Sequence, residues 1–223
     1  MSRELDLIAQ YLPQIWQGFL TTLWMTAAII AMATPIALLL ALARGTRFGF
    51  IVAIYVNFVR AMPALIILYF TFYALPRFGL VLSPIKAALI GLTGVAVAYL
   101  SEDIRGGLQA VNKGQRQAAA ALGLPFWRFA RRILIPQAIP MIMPNYMTSV
   151  MLTVQGTSLA SLVAVTELSA ATSRAVSITQ DAFGFLFLGA ALYLVVNAAC
   201  RFCQMLFERR TAARWHLVRT GRT

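Results

Sequence analysis

Few residues in this chain could do chemistry, and nearly all of them lie where water is scarce. Cys200 and Cys203 form a C-R-F-C pair whose spacing would suit a redox couple or half of a metal site. They close an apolar helix without a second pair, and His216 is the single histidine, so they read as packing residues and no metal site is expected. No catalytic constellation is visible. What remains is polar side chains set inside apolar runs, which mark solute paths or contacts between helices. Arg60 lies well inside its run. It could pair with Glu102, Asp103 or Glu167, or face a solute. Gln155, Gly156, Thr157 and Ser158 form Q-G-T-S near the middle of another run. There Gly156 would let a helix loosen and turn carbonyls towards a cavity; the alternative is small polar residues holding two helices together. Asn57 and Asn197 read as such contacts, the stretch Tyr69 to Tyr73 as packing, and Trp215 and His216 as interface anchors.

The composition says where these residues sit. Hydrophobic residues make up 60% of the chain and charged ones 12%, against about 25% charged in a soluble domain. The net charge of +12 gathers at the ends of apolar runs, where it anchors beside anionic lipid, so no nucleic-acid partner is expected. No secretory leader is expected either, because no small-residue cleavage pattern follows the first apolar run. The expected fold is all-α and integral to a membrane, a single transmembrane domain over residues 1–223. Its five spans fall at about 19–43, 48–75, 85–101, 139–165 and 182–200. Pro35 would kink the first span, and Pro136, Pro140 and Pro144 would break the front of the fourth. The second contains Arg60, because neither side of that arginine is long enough to span alone. Fourteen basic residues fall on one side of these spans and four on the other. The positive-inside rule then puts the N-terminus outside, in the periplasm, and the C-terminus in the cytoplasm. No internal repeat is evident, so the chain reads as part of a larger assembly rather than a complete secondary transporter.

One polar stretch dominates the basic side, the loop at about 102–136, with six of the nineteen basic residues. Gln115 to Leu122 favours helix, Gly123 stops it, and Pro125 opens a second, amphipathic segment. Two interfacial helices held down by Phe126, Trp127 and Phe129 would explain this; so would a smooth alanine face that enters a partner's groove.

The spacing of the loop resembles the E-A-A signature of permease subunits of ATP-binding-cassette (ABC) importers: E-A-A, three residues, G, nine residues, then I-x-L-P. Gln117, Ala118, Ala119, Gly123, Ile133 and Pro136 fall at those places, with Gln117 for the glutamate and Ile135 for the leucine. It is more closely similar to the polar amino acid branch. That branch is seen in Ala98, Tyr99, Glu102, Arg105 and Gly106, in Lys113, Gly114 and Gln115, and in Pro136, Gln137 and Ala138. It is seen again in Thr157, Ser158 and Leu159, in Glu167 and Leu168, and in Tyr55, Arg60, Ala61 and Pro63.

The resemblance implies a type I importer permease of the bacterial inner membrane. Two permease subunits, alike or different, pair in the lipid, a cytoplasmic ABC ATPase dimer grips the loop of each, and a periplasmic amino-acid-binding protein delivers solute. It places ATPase coupling at Gln117, Ala118, Ala119, Leu122 and Gly123, and the solute path at Arg60, Gln155, Thr157, Ser158 and Glu167. Tyr99, Glu102, Arg105 and Pro136 become structural contacts between helices. The chain has no G-x-x-x-x-G-K-[S/T] phosphate loop, so it is expected to be non-catalytic and to bind no cofactor, with ATP and magnesium on the ATPase. Gln155 stands where many relatives carry lysine, which keeps open a scaffold subunit whose partner holds the solute. A channel subunit is the other open reading; it would want a repeated polar ring and no docking pattern.

Overall fold

The computed structural model describes the backbone of residues 2–219 and the side chains of residues 7–211. The side chains of Arg3, Arg214, Trp215, His216 and Arg219, and all of Arg222, lie outside the described residues. Among the described residues every regular element is helical.

Helix α1 (Ser2–Ala43) runs unbroken through Pro13 and Pro35. Most of its buried residues, Ile15, Phe19, Thr22, Met25, Ile29, Ala33, Ala37 and Ala41, recur every three or four positions, which is one helix face. The alanines at the basic end let α4 (Pro84–Ala110) pack closely, through Leu92, Ala96, Leu100 and Ile104. Nearer the other end, Ile15 and Phe19 pack against Leu168 of α8 and Phe185 of α9.

The second apolar run is not one helix. α2 (Gly49–Ala61) and the following segment from α3 (Ala64–Tyr69) meet at a bend of 105°. Pro63 explains the break: it disfavours helical backbone before it, and Met62 is extended with φ −94° and ψ 142°. Arg60 therefore sits in the last turn of α2, beside a bend, rather than in mid-helix. A π turn (Phe70–Ala74) and a 3-10 turn (Leu75–Phe78) lead out of α3.

α4 starts on Pro84, where a missing N–H costs nothing, and continues to Ala110. Glu102, Asp103 and Arg105 thus belong to a helix end rather than to a loop. Short helices α5 (Lys113–Ala121) and α6 (Phe126–Phe129) follow, and a π turn (Ala130–Leu134) joins α6 to α7 (Ile135–Gly156). The three prolines expected to break the front of this span lie inside it. Pro136 occupies the first turn, and Pro140 and Pro144 follow at intervals of four, so their missing donors share one face. A 3-10 turn (Thr157–Val163) ends α7, and α8 (Leu168–Thr179) and α9 (Ala182–Arg219) complete the chain.

Three helices, α1, α4 and α9, contain segments long and apolar enough to cross a membrane, and the count rises to five if each bent pair is one span. The second bent pair joins α7 to α8 at 53°.

Candidate functional site

The coupling residues of the sequence fall together on a small helix that stands clear of the bundle. Asn112 caps α5, its side chain accepting from the Gly114 N–H at 2.7 Å. At the other end Gly123 takes a left-handed φ of 65°. The Leu124 N–H donates to the Ala119 carbonyl and the Gly123 N–H to that of Ala120, both at 3.0 Å, which is the paired bonding of a glycine-stopped helix. Only Ala119 of α5 is buried; it is pinned by Val111, Phe129, Leu134 and Ala138. Gln117, Ala118, Leu122 and Gly123 are exposed, as are Phe126 and Trp127 just beyond. A rigid helix with one anchored residue and an open apolar-polar face is suited to being held and pushed by another protein.

Above it lies a cluster of charge. Glu102 accepts from Arg105 through Nε and Nη2, from Arg44 Nη2 at 3.2 Å, and stands 3.9 Å from Arg60 Nη1. It ties the α1–α2 turn and the end of α2 to α4. Next to it Asp103 accepts from Ser149 of α7. Arg60 also covers the ring of Tyr99, with its guanidinium carbon 5.3 Å from the centroid, a favourable placement for a cation.

Tyr99 in turn lines a cavity of about 210 Å³ between α3, α4 and α7, with Ala64, Leu92, Ser149, Thr153 and Gly156. Its wall is apolar apart from a few hydroxyls, and opposite charges stand at its basic end, Arg60 beyond Tyr99 and Asp103 beyond Ser149.

The residues expected on the path divide. Arg60 does not line the cavity; it covers the ring of Tyr99, which does. Of the Q-G-T-S stretch only Gly156 lines it. Gln155 is exposed, Thr157 is buried and donates to the Val154 carbonyl at 2.7 Å, and Ser158 donates to the Gln155 carbonyl at 2.6 Å. The expected loosening at Gly156 is not seen: Gly156 keeps helical backbone, and from Thr157 the chain tightens into the 3-10 turn. Glu167 is elsewhere, fully buried between α1, α8 and α9. It caps α8, accepting from the N–H groups of Ser169 at 2.9 Å and Ala170 at 2.8 Å, and from the Tyr193 hydroxyl at 2.9 Å. Thr22 adds a longer contact at 3.4 Å. Gly18 makes this packing possible, since a Cβ there would fall 2.8 Å from that of Ala171 and 2.9 Å from the Glu167 carbonyl oxygen.

Three contacts had no signal strong enough to find them from sequence: Arg44 on Glu102, Ser149 on Asp103, and Thr34 with Tyr146 at 2.6 Å. Each joins residues 46 or more apart. A lone mid-span serine or threonine was the available hint, and it does not say which helix it faces.

A short capped helix outside an apolar bundle, with a small cavity within it, fits the layout of a transporter's membrane subunit. The chain belongs to the family described as binding-protein-dependent transport system inner membrane component, which it matches over residues 33–213. It is thus a non-catalytic permease subunit of an ABC importer in the inner membrane, and the family works with a separate ATPase and a solute-binding protein. The probable glutamine ABC transporter permease protein GlnP of Bacillus subtilis (strain 168) is 34% identical, over 84% of this chain and 89% of that one. A probable amino-acid ABC transporter permease protein of the same organism, YckA, is 32% identical over 70% of each. The crystal structure of an amino acid ABC transporter with histidines superposes with a TM-score of 0.85 at 27% identity, covering 91% of this chain and 96% of that one.

Proposed function

We propose that this chain and a second permease subunit form the path for an amino acid that a periplasmic binding protein delivers and a cytoplasmic ATPase dimer drives inward. The single observation that supports the solute class is that two residues lining the cavity each carry a charge behind them, Arg60 over the Tyr99 ring and Asp103 on the Ser149 hydroxyl. A guanidinium suits an α-carboxylate and a carboxylate suits an α-ammonium group; the relatives named for amino acid transport support the same class. The chain acts as one permease domain with five spans, counting each bent pair once, with the N-terminus in the periplasm and α5 and the C-terminus in the cytoplasm. ATP and magnesium stay on the ATPase, and Gln117 to Gly123 receive its motion.

Purification of the tagged chain from its native membranes tests the assembly. An ABC ATPase should accompany wild type and be lost with Gly123→Asp, because a side chain at φ 65° strains the turn and sets a carboxylate on the exposed end of α5. A chain that emerges only with copies of itself, under conditions that preserve a control importer, would favour a channel. A second permease in equal amount would make the pair a heterodimer.

A further inference from the structure

A second cavity lies at the basic end, outside the solute path and of a different character. It encloses about 500 Å³ between the end of α1, the end of α4 and the loop carrying α5, and three arginines line it: Arg44, Arg105 and Arg116. One carboxylate, Glu102, serves Arg44, Arg60 and Arg105 together, so the guanidiniums outnumber it and positive charge is left over. Each guanidinium has five donors. Arg44 commits one to Glu102 and one to the Gly49 carbonyl, and Arg116 is exposed. Donors remain for an anion.

The cavity does not end at the arginines. Leu108 is shared with a groove of about 300 Å³ between α1, α4 and α7 whose wall is apolar. Leu38 and Ile139 both line it, Leu38 lies one helical turn from Leu42 of the basic cavity, and Ile135 follows Leu134 of the same cavity. The groove is closed at its far end by the hydrogen bond between Thr34 and Tyr146. From Arg44 to Thr34 is ten residues of α1, about 15 Å, and one leaflet of hydrocarbon is also about 15 Å deep.

We infer that this basic cavity and its apolar groove form a binding site for an anionic phospholipid, with the headgroup phosphate on Arg44, Arg105 and Arg116 and an acyl chain along the groove. A pocket that ended at the arginines would take any small anion; the groove, one leaflet long and continuous with the charge, selects an amphiphile. Basic pockets between membrane helices on the cytoplasmic side bind anionic headgroups in this way. The inference rests on the orientation proposed above, which puts the cavity at the cytoplasmic surface.

Native mass spectrometry of the intact transporter in mild detergent tests it, with phosphatidylglycerol and phosphatidylcholine of identical acyl chains added in equal amounts. Wild type should retain phosphatidylglycerol in preference by about tenfold, and Arg116→Gln, an exposed position, should cut that retention about fivefold. Leu38→Trp, which fills the groove from its half-exposed side, should reduce both lipids. Equal retention of the two lipids, or an unchanged preference in Arg116→Gln, would overturn the site. Release of the lipid by millimolar inorganic phosphate would show selection of phosphate alone and would overturn the lipid assignment. So would crosslinking of Leu38→Cys to a partner chain that fills the groove. Stimulation of ATP hydrolysis by the binding protein, read on the same preparation, reports the proposed transport function separately: if it persists while lipid preference is absent, only the lipid inference fails.

Discussion

Two glutamates hold this bundle together, and they are held in opposite ways. Glu102, near the basic end, is partly exposed and surrounded by guanidiniums from Arg44, Arg60 and Arg105. Glu167, near the other end, is fully buried and is met by neutral donors alone among the described residues: two backbone N–H groups, the Tyr193 hydroxyl and Thr22. At Glu102 the charge does the work, because it offsets three like charges that would repel each other. At Glu167 the shape does it, because two acceptor oxygens satisfy a helix start that would otherwise be buried with orphan donors. One joint is electrostatic and can be reset by what binds nearby; the other is a fixed pin. A permease that alternates between two arrangements has use for both.

The largest effect should come from removing the pin. Glu167→Leu keeps the volume but strands the donors of Ser169, Ala170 and Tyr193, and should cost about 3 kcal/mol, read as a lower Tm of the purified complex. Glu102→Gln keeps the volume and half of the acceptor capacity but no charge. Its expected cost is about 1–2 kcal/mol, moderated by exposure, and on the proposed path uptake should fall more than stability, because Glu102 holds the Arg60 that covers Tyr99. Tyr193→Phe removes one donor from Glu167 and should cost about 1 kcal/mol. The smallest effect should be the salt dependence of these costs: that of Glu102→Gln should shrink at high salt, while that of Tyr193→Phe should not. If both costs fell alike with salt in the same melting assay, the contrast between shape and charge would collapse.

The sequence made α5 and its glycine stop legible almost residue by residue. Helix-forming Gln115 to Leu122, a stopping Gly123 and an opening Pro125 are local rules, and local rules act within a few residues. α5 and its turn follow them closely. The apolar runs were legible for the same reason. Breaks within them were less so: Pro63 bends its run by 105°, while Pro136, Pro140 and Pro144 leave theirs helical. A proline removes one hydrogen bond in either case, and neighbouring helices decide whether the helix survives. The site was the least legible part. Arg60, Glu102 and Glu167 stand out in apolar runs because charge there is costly, yet cost says nothing about the partner. Glu102 takes Arg44 from 58 residues away and Glu167 takes Thr22 from 145. Only the packing of α1 against α4 and α8 creates those pairs.

Uptake into vesicles that hold the purified assembly tests the central claim most directly. Radiolabelled amino acids are offered with the binding protein on one face and ATP on the face of the ATPase. Accumulation should require both, and Gly123→Asp should abolish it while leaving the permease inserted. Uptake that runs down its gradient without ATP, or that is unchanged in Gly123→Asp, would contradict a pump driven through α5.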